Sequence, residues 1–135
     1  MPKLIMTLLA AAGIALAHSA SAQSGSLSRE AFDAEKDRIE AQYKAQKERC
    51  DNLAGNRKDV CEEEAKAQRD IAQANADARM KNTAEARRDA AKKKAEAEYN
   101  VAKEKCDDLA GNLKDTCVKD AKVVRERAEA SAKTM

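Results

Sequence analysis

Residues 50–61 read CDNLAGNRKDVC, and fifty-six positions later residues 106–117 read CDDLAGNLKDTC, with nine of the twelve letters unchanged. On one unbroken helix the two cysteines of a copy would lie about 16 Å apart at 1.5 Å per residue. A disulfide needs Cα atoms within about 7 Å, so a straight helix forbids the bridge. Gly55 and Asn56 interrupt the first copy at its centre, and Gly111 and Asn112 interrupt the second. Glycine suits the left-handed residue just past a helix end, and asparagine is a favoured N-cap, followed here at the third helical position by Asp59 or Asp115. The expectation is that one helix stops and the next starts at once. Each cysteine then lies five and a half residues from the midpoint of its Gly-Asn pair, so folding there brings both to one height. Each copy reads as an αα-hairpin stapled by a disulfide, Cys50 to Cys61 and Cys106 to Cys117.

The apolar pattern supports those hairpins. At 100° per residue, Phe32, Ile39, Tyr43, Cys50 and Leu53 fall within a sector of roughly 80°, as do Tyr99, Ala102, Cys106 and Leu109. Beyond the turns, Cys61, Ala65, Ala72 and Ala76 make one stripe, and Cys117, Ala121, Val124 and Ala128 make its counterpart. These seams are narrow and rich in alanine. They let helix axes approach but bury little area, at about 25 cal/mol per Å², whereas closing a loop of about a dozen residues contributes roughly 3 kcal/mol.

Composition points the same way. Charged residues are 37% of the chain and aromatics 2%, and alanine accounts for much of the 43% counted as hydrophobic. Ala, Glu, Lys, Arg and Gln are strong helix formers, and the only proline is Pro2. The expected fold class is all-α: two tandem disulfide-stapled αα-hairpins, elongated or coiled-coil-like, following a short flexible start at 23–28. Ser28 is the expected first N-cap, with Glu30 in the first turn. Hairpin one spans 28–80 and hairpin two 83–133. Asn82 with Glu85 three residues on resembles a capped start that would give four helices. With no glycine or proline at the join, however, a continuous helix over 57–110 is favoured, giving a short, long, short arrangement.

The N-terminus sets the compartment. Lys3, the apolar run LIMTLLAAAGIALA and the small-residue pattern Ala20-Ser21-Ala22 make a secretory signal over 1–22, cleaved between Ala22 and Gln23. The run is too short to span a bilayer, which takes roughly 20 apolar residues. A periplasmic or secreted protein with an even cysteine count favours structural disulfides. Zinc sites pair ligands two to four residues apart, whereas ten residues separate each pair here, and His18 falls in the signal. Neither C-x-x-C nor C-x-x-C-H occurs, so thioredoxin-like chemistry and c-type haem attachment lack their motifs, and no cofactor is expected.

Removing Lys3 with the signal leaves 25 basic residues from 26, against 24 acidic, which argues against nucleic acid as a partner. The most basic segment, ARRDAAKKKAEAE at 86–98, is interrupted by Asp89, Glu96 and Glu98 and reads as a solvated helix face. Carboxylates elsewhere sit beside lysines at solvent-face spacing, and Tyr43 and Tyr99 read as seam residues, so no catalytic residues are nominated.

The paired CDxLAGNxKDxC motif, the signal and the Ala/Lys/Glu-rich body resemble a group of small exported proteins of Gram-negative bacteria. Some carry a TolA-like or cell-envelope label for their similarity in composition to the long helix of TolA. Twin-cysteine hairpins of the coiled-coil-helix type are similar in idea, but they have nine intervening residues and two bridges per hairpin. The resemblance implies an exported envelope protein and no particular activity. The expected function is therefore a structural or interaction role in the periplasm, without catalysis, through self-association or a protein partner. The alternative is weak binding of anionic envelope polymers or membrane surface, with a thiol-redox or metal role a distant third.

Overall fold

A computed structural model describes residues 26–135. The expected signal at 1–22 and the first residues of the flexible start lie outside the described residues. Four α-helices follow in order: α1 Arg29–Cys50, α2 Asn56–Lys81, α3 Ala84–Cys106 and α4 Gly111–Lys133. The all-α expectation holds, with both staples in place.

α1 starts where Ser28 caps it, its hydroxyl accepting from the Ala31 amide at 3.2 Å. Before it, the Leu27 amide donates to the Arg79 carbonyl of α2 at 3.3 Å, so the end of the expected flexible start is tied down. The long helix over 57–110 does not form. Asn82 ends α2 in the left-handed conformation at φ 50°, and its amide donates to the Ala78 carbonyl at 2.8 Å. Thr83 then caps α3, its hydroxyl accepting from the Ala86 amide at 3.1 Å. Asparagine is among the few non-glycine residues that adopt this conformation readily, so it supplies the break that neither glycine nor proline marks.

The break lets α3 fold back on α2. Ala78, Ala86 and Ala90 are buried together with Ala74 packed against them. At the other end of the pair the Lys105 ammonium meets the Glu64 carboxylate at 2.6 Å. Helices pack only with their chain neighbours: α1 on α2, α2 on α3 and α3 on α4, with no other pairing among the described residues. The result is an open up-and-down layer rather than a closed bundle, in which α2 and α3 are covered on two sides and α1 and α4 on one.

The interior follows from the composition. Among the described residues, every buried hydrophobic residue apart from Ile39, Cys50 and Cys106 is an alanine, and no charged residue is buried. α2 carries two alanine stripes, with Ala65 and Ala76 on the line of Cys61 facing α1, and Ala67 and Ala78 turned towards α3. Small side chains permit helix axes near the close end of the usual 8–10 Å range.

The Asn82 conformation generates a direct check. Asn82→Ala should lower stability by about 1 kcal/mol in chemical denaturation, because alanine meets the steric cost of the left-handed region, while Asn82→Gly should be near neutral. An alanine variant as stable as the parent would show that the α2–α3 turn does not depend on this residue.

Candidate interaction surface

Both staples pair as the spacing requires, with Cys50 to Cys61 at a Cα separation of 5.6 Å and Cys106 to Cys117 at 5.7 Å. Cys50 and Cys106 are wholly buried, each the last residue of its helix. Their partners lie in the second turn of the following helix, where the first alanine stripe begins.

The turns differ in detail from expectation. α1 ends at Cys50, five residues before Gly55, and a loop over 51–55 precedes α2. In the second copy the loop covers 107–110. Two antiparallel helices need this connection to bridge their axes, so no helix stops and restarts at a single bond. Gly55 caps the start of α2 rather than the end of α1, at φ 59° and ψ −153°, a region open essentially to glycine alone. Gly111 also takes positive φ, at 55°, but as the first residue of α4, where Ala110 is the cap. Asn56 and Asn112 are therefore inside their helices, not caps. Asn56 makes no cap hydrogen bond, and its side-chain amide nitrogen is buried without a partner. Asp59 stays in the first turn of α2, whereas the first turn of α4 has no acidic residue, so Asp115 lies beyond it.

The repeated Asp and Lys of the motif have a role that the spacing alone did not reveal. Asp51 accepts from Lys58 at 3.1 Å, and Asp107 from Lys114 at 2.8 Å, so each pair clasps its turn across the two helices. The hydrogen bond to the aspartate, with its charge, raises the lysine pKa above the usual value in both copies. The folded chain thus holds these protons more tightly than the unfolded chain. The lysine's contribution is fully present below the ordinary lysine range and falls as pH climbs through the raised values, leaving it insensitive near neutrality. The signal available was the invariance of these two letters between copies.

Above the staples a second element repeats. The Arg69 guanidinium lies 4.4 Å from the centre of the Tyr43 ring, and Arg125 lies 4.5 Å from that of Tyr99. The tyrosines are half-buried seam residues, as expected, and each is covered by an arginine twenty-six positions later on the facing helix. Hairpin one adds polar rungs, Gln46 to Gln68 and Glu40 to Gln73, each at 2.6 Å. Hairpin two replaces the first of these by Ala102 and Val124. Val124, expected in the seam, is 65% exposed at its edge, and Leu109 and Leu113 are also exposed. α4 thus presents a largely uncovered apolar flank.

A separate groove of about 550 Å³ opens at the α2–α3 turn, lined by Ala78, Ala90 and Met135, with Arg79, Arg87 and Lys94 at its edge. Among the described residues no group of three or more His, Cys, Asp or Glu is placed to hold a metal ion, and no helix is long and apolar enough to cross a membrane.

If the staples hold the outer helices, Cys61→Ser with Cys117→Ser should cost roughly 3 kcal/mol per hairpin while far-UV circular dichroism changes little. The freed helices should splay, enlarging the radius of gyration in small-angle scattering. Unchanged dimensions and thermal stability would show that the bridges serve another purpose.

Compared with protein-family models, with curated proteins and with solved structures, the chain matches none of them.

Proposed function

We propose that this is an exported, non-catalytic interaction protein of the bacterial cell envelope, acting from the periplasm by presenting helix faces in fixed geometry. The observation that carries this reading is the pairing of two buried-cysteine staples with an exposed apolar flank on α4. Disulfides suit an oxidising compartment, which supports export with cleavage before Gln23. A staple that fixes helices before binding removes the entropic cost of ordering them on a partner.

A second reading has its own support. The groove beside the α2–α3 turn combines an alanine and methionine floor with Arg79, Arg87 and Lys94, a pattern suited to anionic amphiphiles such as membrane lipid headgroups. Neither Arg79 nor Arg87 has a carboxylate within ion-pair distance among the described residues.

Vesicle co-sedimentation and in-cell photo-cross-linking separate the two. The purified periplasmic protein, its N-terminus checked as Gln23, should give discrete protein adducts from a cross-linker on α4. It should bind vesicles of anionic phospholipid weakly and insensitively to Arg79→Ala with Arg87→Ala. Tight vesicle binding that falls steeply with salt and with those substitutions, without protein adducts, would favour the second reading.

A further inference from the structure

The fifty-six-residue repeat allows each hairpin to serve as the reference for the other. In the seam of hairpin one, Ile39 fills the space beside Tyr43 and Arg69 and leaves a void of about 30 Å³. The equivalent position in hairpin two is Ala95, and the corresponding notch, bounded by Tyr99, Ala102, Ala121, Val124 and Arg125, grows to about 110 Å³. The polar Gln46–Gln68 rung at the mouth becomes the apolar pair Ala102 and Val124. The Nε of Arg125 faces the Glu129 carboxylate at 3.5 Å, a looser contact than the 2.8 Å hydrogen bond that Nε of Arg69 donates to Asp70. Hairpin two therefore has an unfilled apolar site where hairpin one is plugged.

Three further differences between the copies lie on α4 and its turn. Arg57 becomes Leu113, which is 70% exposed, Asn52 becomes Asp108, and Ile71 becomes Arg127. Neither Asp108 nor Arg127 has an ion-pair partner among the described residues. Leu113 and Val124 are eleven residues apart, so they lie about 16 Å apart along α4 and within about 20° around it, on one flank.

We infer that α4 is a self-pairing surface: two copies dock α4 antiparallel about a two-fold axis, and Leu113 of each copy enters the notch of the other. The axis crosses α4 midway between Leu113 and Val124. Leu113 then reaches the level of Val124 on the second copy, beside the space vacated at Ala95. The same register sets Arg127 level with the turn that carries Asp108 of the second copy, so opposite charges meet twice across the axis. An interface in which one patch complements itself is the requirement of a closed two-fold dimer. Hairpin one lacks every part of it, since its notch is filled and Arg57 stands in place of the leucine. The inference rests on the interaction reading above and names the partner as a second copy.

Sedimentation equilibrium of the oxidised, exported protein tests it, with circular dichroism confirming the fold of each variant. The parent should dimerise reversibly. Ala95→Ile, which plugs the notch as in hairpin one, and Leu113→Arg should each weaken association at least tenfold, and combining them should add little because both remove one contact. Asp108→Arg and Arg127→Asp should each weaken association, and the double exchange should restore it. A photo-reactive leucine at position 113 should cross-link between copies to the peptides around Ala95–Ala102 or Ala121–Ala128. A parent that stays monomeric at millimolar concentration would overturn the inference while leaving an interaction with another protein intact. A dimer indifferent to all four substitutions would overturn it as well.

Discussion

Everything in this fold depends on the distance that a disulfide imposes between two facing helices. With Cα atoms 5.6 and 5.7 Å apart at the staples, the helix axes run close beyond them, and most of the residues buried between the helices are alanines. The alanine stripes follow from that geometry. Alanine in turn buries little area, so the seams cannot replace the covalent link that called for them. Staple and seam are one solution: a chain with one phenylalanine, two tyrosines and no tryptophan holds ordered helices without a conventional core.

The same constraint accounts for the conserved letters of the repeat. Between the cysteines the turn must reverse the chain in a few residues, and the loop closes through a positive-φ glycine and an Asp–Lys clasp in both copies. Around these shared letters the copies diverge. Hairpin one closes its seam with Ile39 and glutamine rungs, while hairpin two leaves a notch and exposes Leu113 and Val124.

The hairpins and their disulfides were legible in the sequence because cysteine spacing, central glycine and apolar stripe are independent signals that agree. The α2–α3 break was not. Asn82 breaks a helix only when tertiary packing favours the left-handed conformation, and the reward for doing so is a second alanine stripe, Ala67, Ala74 and Ala78, hidden among alanines that score as generic helix. The caps were shifted for a related reason: Asn56 looks like a cap by residue type, but the connection needed to span two axes moves that role onto Gly55. The roles of Arg69 and Arg125 are not legible, because an arginine in a charged helix gives no sign of which ring it will cover. The α4 flank is legible when the copies are compared letter by letter, since Arg57 gives way to Leu113 and Gln68 to Val124, polar residues replaced by apolar ones.

The central claim is that staples, more than apolar burial, hold α1 and α4 against the α2–α3 pair. Amide hydrogen exchange of the oxidised and the fully reduced protein, resolved by helix, tests it most directly. Loss of about 3 kcal/mol per loop corresponds to roughly hundredfold faster exchange. The account predicts that acceleration across Arg29–Cys50 and Gly111–Lys133, with amides around Ala78, Ala86 and Ala90 changing far less. Equal exchange in both redox states along all four helices would contradict it, showing that the alanine seams hold the layer by themselves.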